Sequence, residues 1–216
     1  MKNVPAEVNL DLSRKDRIGL PEHIFCASKS IDQLHTILAQ AHEKRLSLLL
    51  TRLEEPVAAR LSTTYALEYD AISRTAAFQR TLATAKTGRV AVVCAGSSDV
   101  PVARECMKTL AFHHEEALEV VDVGVAGLHR LLARVDELKT RRVVIVVAGM
   151  DAALVSVMGG LVPGLVIAVP TSVGYGVAHH GETALQSSLA SCASGVVVVN
   201  IDNGYGAACA ALRALR

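Results

Sequence analysis

The hydrophobic positions after residue 89 form five short apolar runs, and each run is followed by a segment whose apolar residues have helical spacing. Unbroken runs of Val, Ile and Leu are typical of strands that are buried on both faces of a parallel sheet. The predicted strands are 90–94, 118–123, 143–147, 165–169 and 196–201, and the predicted helices are 100–112, 128–138, 152–159, 181–194 and 207–215. This series of β-α units predicts right-handed crossovers and a three-layer, parallel-sheet α/β fold of the flavodoxin-like or Rossmann-like kind.

Residues 1–85 have a different pattern, which predicts a small α+β N-terminal section before the α/β domain at 86–216. Ser30 is a predicted N-cap for a helix over 31–44, where apolar residues recur at helical spacing. A buried strand is predicted at 46–50, a second helix at 56–61, and a hairpin at 65–69 and 75–78. The first 28 residues predict no element, and 84–88 predicts a linker.

Composition and charge exclude several classes of protein. Apolar residues make up 51 % of the chain, aromatic residues 3 %, and Trp is absent, so Val, Leu and Ala must build the core. The net charge of +1 and the scattered Lys and Arg argue against nucleic-acid binding. No apolar run reaches the roughly 18 residues of a membrane-spanning helix, and the polar N-terminus predicts no secretory signal.

The cysteines are odd in number and irregularly spaced, without a CxxC or Cys/His pattern: Cys26, Cys94, Cys106, Cys192 and Cys209. This spacing predicts neither a zinc site nor a disulfide framework, and it favours a reducing, cytoplasmic location. Cys94, Cys106 and Cys209 are predicted core residues, whereas Cys26 is left open. Cys192 has two interpretations: a small buried hydrophobe, or a nucleophile that needs a lowered pKa or a nearby base.

Polar and glycine-rich segments follow each predicted strand directly, at 95–99, 124–130, 148–151, 170–176 and 202–204. In open α/β sheets, ligands bind outside the carboxyl ends of the strands. The five segments together therefore predict a small-molecule site at one edge of the sheet, and the stretch 170–206 is expected to form one of its walls.

Candidate functional side chains lie in several of these segments and in the run at 179–182. The GSSD sequence at 96–99 suits a phosphate at a helix N-terminus, or serves only as an N-cap through Ser98 or Asp99. His129 and Arg130 could bind an anion or could lie on a solvated helix face. Asp151 follows a buried strand, where an acid is either a cap or a functional group. His179, His180 and Glu182 form a polar cluster, but consecutive His residues point to different faces, which disfavours a metal site.

Several long motifs together resemble the LarB family. They are DVGVAGLHR at 122–130, VAGM at 147–150, AVPTSVGYG at 168–176, SCASG at 191–195 and VNIDNG at 199–204, joined by RKDRIGLPE at 14–22. LarB is the carboxylase/hydrolase of nickel-pincer nucleotide cofactor biosynthesis, and its C-terminal domain is similar to the aminoimidazole ribonucleotide carboxylases of purine synthesis. The resemblance covers nearly the whole chain.

The resemblance implies an enzyme that acts on nicotinic acid adenine dinucleotide. The pyridinium ring would be carboxylated at C5 with CO2 or bicarbonate as co-substrate, and the phosphoanhydride would be hydrolysed to release AMP. Mg2+ would assist at the pyrophosphate. By analogy with the carboxylase fold, the protein would be a homo-oligomer, an octamer in that analogy, in which neighbouring subunits complete the sites.

The resemblance also implies roles for single residues. Cys192 would be the nucleophile and Asp151 the proton-transfer group. The substrate-binding residues would be Gly96, Ser97, Ser98, Asp99, Gly127, His129, Arg130, Gly149, Met150, Thr171, Ser172, Val173, Gly174, Tyr175, Gly176, Asp202, Asn203 and Gly204, with His180 and Glu182 as modifiers of the pocket.

This chain departs from the family pattern at two places. The family usually has Glu-Gly where this chain has Asp151-Ala152, which withdraws the carboxylate by about 1.5 Å. It also tends to have an apolar or aromatic residue and glycines where this chain has HHGET at 179–183. Three alternatives therefore stay open: a paralogue that carboxylates another pyridine nucleotide, an aminoimidazole ribonucleotide carboxylase or mutase without a cysteine nucleophile, and a non-catalytic nucleotide-binding protein.

Overall fold

The computed structural model describes residues 8–81 and 83–216, which fall into two compact units, Met1–Leu82 and Ala83–Arg216. The division lies at residue 82, whereas the sequence pattern places it at residue 85. The predicted linker at 84–88 is wrong in its second half, because the first strand of the second unit already begins at Lys86.

The first unit is a small mixed sheet with helices. Its elements are α1 (Arg14–Ile18), β1 (His23–Phe25), α2 (Ile31–Glu43), β2 (Leu48–Thr51), α3 (Glu55–Ser62), β3 (Leu67–Asp70) and β4 (Thr75–Phe78). The strand order is β1-β2-β4-β3; β1 is parallel to β2, and the other pairs are antiparallel. The predicted hairpin is confirmed as β3–β4, while α1 and β1 lie in the segment for which no element was predicted.

Helix α2 shows how closely the local sequence determines this unit. The Ser30 hydroxyl accepts the N–H of Gln33 at 3.1 Å, and the Gln33 side chain accepts the N–H of Ser30 at 3.0 Å. This capping box satisfies two N–H groups that the first turn would otherwise leave unpaired. The buried face of the helix consists of Leu34, Ile37, Leu38 and Ala41. The predicted cap and the predicted apolar stripe are therefore both confirmed.

The second unit is an all-parallel, five-stranded sheet flanked by helices. Its elements are β5 (Lys86–Cys94), α4 (Val100–Phe112), β6 (Glu115–Val120), α5 (Leu128–Leu132), α6 (Val135–Leu138), β7 (Val143–Ala148), α7 (Ala153–Leu161), β8 (Leu165–Pro170), α8 (Glu182–Leu189), β9 (Val197–Val198) and α9 (Gly204–Ala214). The strand order is β6-β5-β7-β8-β9. Counted from β5, this is the 2-1-3-4-5 order of flavodoxin-like sheets, so the predicted fold class is confirmed.

Several predicted boundaries in this unit are wrong. β6 begins at Glu115 rather than 118, the predicted helix 128–138 is split into α5 and α6, and β9 is only two residues long. Helix α8 ends at Leu189 instead of 194. There the Ser191 hydroxyl accepts the N–H of Ala193 and bonds to the Ser156 hydroxyl. Such side-chain bonds compete with the helix, because they offer the backbone another partner.

Apolar residues fill both faces of the parallel sheet. One face packs Val144, Val146 and Ala168 against helix residues such as Leu154 and Met158. The other face packs against α4 and α9 through an equally apolar cluster. In the part of the chain that the structure describes, no helix is both long enough and apolar enough to cross a membrane.

Candidate functional site

Strained backbone clusters at the carboxyl ends of the strands in the second unit. Non-glycine residues with positive φ lie in the segments after β6, β7, β8 and β9: Asp122 (59°), Met150 (54°), Ala152 (51°), His179 (43°), His180 (53°) and Asp202 (54°). L-residues adopt this conformation at a cost, and such residues concentrate at functional sites. Most of the non-glycine residues with strained backbone in the second unit therefore lie at the edge of the sheet where the sequence predicts a ligand site.

Asp99 is a buried acid that links the segment after β5 to the segment after β8. Its carboxylate accepts the Thr171 hydroxyl at 2.6 Å and the N–H of Gly96 at 2.9 Å, and only 3 % of the residue is exposed. Because β7 lies between β5 and β8, this contact passes over the end of β7. The N-cap interpretation is wrong for Asp99, whose side chain caps no N–H of α4.

Burial is also the main influence on the pKa of the Asp99 carboxyl. It raises the pKa of Asp99, although hydrogen bonds from Thr171 and from the backbone of Gly96 and Gly149 act in the opposite direction. The side chain is enclosed by its own partners. Of the predicted phosphate loop, Ser97 and Ser98 are the exposed residues.

Gly149 is covered by the loop that follows β8. A Cβ atom at Gly149 would lie 2.7 Å from the Thr171 hydroxyl and would also meet the carbonyl oxygen of Val173. The N–H of Met150 donates to that Val173 carbonyl at 2.9 Å. Glycine is required here because the two loops touch at the backbone. Gly149 and Thr171 therefore join the β7 and β8 loops to each other.

The β8 loop is also tied to the segment after β9. The N–H of Ser172 donates to the Asp202 carboxylate at 2.8 Å, and the N–H of Asp202 donates to the carbonyl of Pro170 at 2.8 Å. Beyond this double tie, the loop presents Tyr175, which is 82 % exposed and lies between Gly174 and Gly176, both with positive φ. The loop is anchored at its base and carries an aromatic ring at its tip.

Arg130 is held at the same edge by an acid that the sequence analysis did not single out. Its guanidinium donates to the Asp122 carboxylate at 2.5 Å. The guanidinium lies over Gly127, where a Cβ atom would approach Arg130 Nε to 2.7 Å. The positive φ of Asp122, just beyond the end of β6, is the structural signal of this arrangement. His129 is exposed beside it on the five-residue helix α5.

Asn203 and Gly204 have structural roles at the start of α9. The Asn203 side chain accepts the N–H of Gly206 at 2.8 Å, and Glu105 of α4 accepts the N–H of Tyr205 at 3.2 Å. A Cβ atom at Gly204 would lie 2.6 Å from the carbonyl oxygen of Val102. Glu105, only 5 % exposed, is a second acid that sequence reasoning missed. The signal in the sequence is an acidic residue at a position of α4 that helical spacing directs toward the core.

Asp151 and Cys192 lie beside the same helix. The Asp151 carboxylate accepts the N–H of Ala153, the first residue of α7, at 3.2 Å. Cys192 is exposed in the turn between α8 and β9, so its interpretation as a buried hydrophobe is wrong. The hydroxyls of Ser191 and Ser156 are 2.8 Å apart, which fastens this turn to α7. No hydrogen bond joins Asp151 to Cys192 among residues 8–81 and 83–216.

Comparisons with known proteins agree with this architecture. Residues 4–80 match the LarB/PurE-like N-terminal domain family, and residues 89–216 match the AIR carboxylase family. The chain belongs to the LarB family. It is also 36 % identical over 217 residues to the uncharacterized protein MJ0165 of Methanocaldococcus jannaschii, a match that covers 95 % of this chain and 83 % of that protein. The two domain matches make the chain a carboxylase-type enzyme of the LarB/PurE kind.

Within this LarB-family chain, the other cysteines differ in environment from Cys192. Burial raises the pKa of Cys26 to about 12 and that of Cys94 to about 11, and it raises the pKa of Cys106 well above its usual range. Thiols held in the neutral form are poor nucleophiles. Cys209 is half-buried on α9, so its assignment to the core is only partly right. Cys192 is the exposed cysteine of the described chain.

The residues offer little support for a metal held by the protein alone. Among the described residues, no three His, Cys, Asp or Glu side chains are grouped so that they could hold a metal ion. His180 and Glu182 are exposed next to Gly181, at the start of α8. Mg2+ is commonly bound through one or two carboxylates and substrate phosphates. Mg2+ therefore stays a prediction.

Proposed function

We propose that the protein carboxylates C5 of the pyridinium ring of nicotinic acid adenine dinucleotide and hydrolyses its phosphoanhydride, releasing AMP. The observation that carries this proposal is the exposed Cys192 thiol, fastened beside the first turns of α7, the helix whose N-terminus carries Asp151. The family membership supports the reaction class. The substrate comes from the resemblance of the motifs around these two residues to LarB.

The proposed carboxylation needs a nucleophile that activates the pyridinium ring, and Cys192 would supply it. A pyridinium ring is electrophilic, so its C5 cannot attack CO2 directly. Addition of the Cys192 thiolate to the carbon beside C5 forms a C–S bond, breaks aromaticity and leaves an enamine-like dihydropyridine. C5 then attacks CO2, and a C–C bond forms. Removal of the C5 proton returns its electron pair to the ring, and the C–S bond breaks to release the thiolate.

Asp151 is the proposed acceptor of the C5 proton. Its carboxylate is exposed and is oriented by the N–H of Ala153, which leaves its second oxygen available for proton transfer. Its neighbours Met150 and Ala152 both have positive φ, so the backbone holds this short segment in a strained conformation. The aspartate is one methylene shorter than the glutamate that the family resemblance leads us to expect.

The remaining edge residues fit the charged parts of a dinucleotide. Arg130, fixed by Asp122, provides a cation at the edge of the sheet, and the exposed Ser97 and Ser98 provide hydroxyls for phosphate oxygens. Tyr175 presents an aromatic face that suits a pyridinium cation. Hydrolysis of the phosphoanhydride by water would then separate AMP from the biscarboxylated mononucleotide.

The decisive experiment is mass spectrometry of the protein incubated with nicotinic acid adenine dinucleotide, bicarbonate and Mg2+. We expect AMP, a mononucleotide with one additional carboxyl group, and an adduct of the substrate mass on Cys192. Cys192→Ala should lose both products and the adduct. The matched control Cys209→Ala, which removes a half-buried thiol on α9, should keep them.

Three outcomes separate this proposal from its rivals. Full activity in Cys192→Ser would refute the thiol mechanism and favour a carboxylase that acts on aminoimidazole ribonucleotide. Tight binding without products or adduct would favour a non-catalytic nucleotide-binding protein. Slow turnover that rises about 100-fold in Asp151→Glu would attribute the loss to the shorter side chain, since misplacement by about 1 Å can cost that much.

A further inference from the structure

The first unit contains a cleft that no part of the proposed function uses. It has a volume of about 610 Å³ and lies at the end of the β3–β4 hairpin, where it is lined by His42, Tyr65, Glu68, Phe78, Gln79 and Arg80 among others. We call it the hairpin cleft. β3 is an edge strand of its sheet, so this end of the hairpin is open on one side. The volume is within the range of small-molecule sites.

Arg80 provides an unused donor in the hairpin cleft. Its Nε atom is buried and has no hydrogen-bond partner among the described residues 8–81 and 83–216. Buried polar atoms in folded proteins almost always have a partner, and an exception calls for an explanation such as an absent ion or ligand. A guanidinium is suited to phosphate or carboxylate oxygens.

The backbone at the same place is strained and firmly held. Gln79 has a φ of +50°, its carbonyl accepts the Ser47 hydroxyl at 2.6 Å, and its side-chain amide nitrogen lies 2.9 Å from His42 Nδ1. An amide nitrogen can only donate, so Nδ1 of His42 accepts. This contact holds the imidazole in place, and His42 is a second nitrogen-bearing side chain in the lining of the hairpin cleft.

An aromatic ring completes the lining. Tyr65 is packed edge-to-face on Phe78 with a centroid distance of 5.8 Å, and its hydroxyl donates to the carbonyl of His35 at 3.2 Å. Both contacts fix the ring. Tyr65 and Arg80 both line the hairpin cleft, on the two chain segments that run beyond the Leu67↔Phe78 end of the ladder. Glu68 also lines the hairpin cleft and is exposed.

We propose that the hairpin cleft binds a nucleoside monophosphate. The base would stack on Tyr65, the ribose hydroxyls would donate to the Glu68 carboxylate, and the phosphate would accept from Arg80 and His42. A simple aromatic acid would use the ring and the guanidinium but would leave Glu68 facing its own negative charge. The proposal goes beyond the carboxylase function, because it concerns equilibrium binding in the first unit and needs no turnover.

The test is calorimetric titration of the full chain with AMP, adenosine and ribose 5-phosphate. We expect AMP to bind, and Arg80→Met to weaken its binding by about tenfold, which is the usual effect of losing one charge-assisted hydrogen bond. Arg80→Met should leave the weaker binding of adenosine unchanged. Glu68→Gln should weaken adenosine and AMP alike, and Tyr65→Leu should weaken both further, with thermal unfolding used to check that each variant is folded.

Two matched controls locate the nucleotide. Arg60→Met removes an exposed arginine on α3 outside the hairpin cleft, and Arg130→Met removes the cation at the edge of the parallel sheet. Arg60→Met should not change AMP binding, and Arg130→Met should leave the part of AMP binding that depends on Arg80 unchanged. No binding of AMP, or binding that is lost in Arg130→Met and kept in Arg80→Met, would overturn the proposal. Either result could occur whether or not the protein carboxylates a pyridinium ring, so the two proposals fail separately.

Discussion

Single residues at the sheet edge divide into those that hold the loops and those that are available to a ligand. Asp99, Gly149 and Asn203 all have partners within the protein, either through hydrogen bonds or through close backbone contact. Cys192, Tyr175 and Asp151 are exposed. The exposed group contains the residues that the proposed chemistry needs, and the enclosed group keeps the loops in place around them.

The buried Asp99 carboxyl should make the free energy of unfolding depend on pH, in a direction that follows from its pKa. The pKa of Asp99 is raised above its ordinary value of 3.8 because the carboxyl is buried. A raised pKa in the folded state means that this group stabilises the fold fully below the unfolded pKa and loses that contribution as pH rises through the folded pKa. The free energy of unfolding of the wild type, relative to Asp99→Asn, should therefore fall as pH rises from about 4.

Urea unfolding at a series of pH values measures this difference. The control is Asp136→Asn, because the Asp136 side chain is 95 % exposed and so lacks the burial that acts on Asp99. A difference for Asp99→Asn that grows with pH would mean that the hydrogen bonds from Thr171 and Gly96 outweigh burial.

At the scale of elements, one buried ion pair fastens the start of β5 to the start of β6. Arg89 Nε donates to Glu115 at 3.1 Å, and a second guanidinium nitrogen contacts the other carboxylate oxygen. The Glu115 side chain is 1 % exposed and that of Arg89 is 26 % exposed. The pair gives the buried Glu115 carboxylate a partner, which allows β6 to begin three residues before the predicted apolar run at 118.

Removal of one partner should therefore be costly. Arg89→Met leaves the Glu115 carboxylate buried without its counter-ion, and we expect a loss of about 3 kcal/mol in the free energy of unfolding. The double variant Arg89→Met/Glu115→Gln should recover part of that loss. Arg134→Met breaks a more exposed pair between the residue that precedes α6 and Glu137 in α6, and should cost under about 1 kcal/mol. Equal losses in the two single variants, measured in urea, would contradict this account.

Regular elements with clear caps could be predicted from the sequence, and irregular ones could not. α4 has the predicted bounds because Pro101 occupies its first turn and its apolar stripe is continuous. α8 and β9 differ because Ser191 bonds to Ser156, a residue 35 positions away that local spacing does not reveal. Likewise, residue spacing placed Asp99 in the right loop but placed Cys192 inside the predicted helix 181–194, and it could not show that Asp99 is enclosed and Cys192 exposed.

At the scale of the whole molecule, each unit has a core of its own. The buried apolar cluster of the first unit draws its residues from positions 10–78, and the two clusters of the second unit draw theirs from 90–215. A segment with its own core can fold alone. We therefore expect a fragment of residues 83–216 to unfold cooperatively in urea, with helical circular dichroism in its folded state.

The fragment also separates the two proposed sites. The residues proposed for carboxylation all lie in 83–216, whereas the hairpin cleft lies wholly in the first unit. The folded fragment should accordingly lose the AMP binding that depends on Arg80 while it retains an exposed Cys192 thiol, which a thiol reagent can titrate. A fragment that unfolds without cooperativity would show that the parallel sheet depends on the first unit. A folded fragment that still binds AMP as the full chain does would place that nucleotide at the edge of the sheet, because a cation such as Arg130 is then sufficient to hold it.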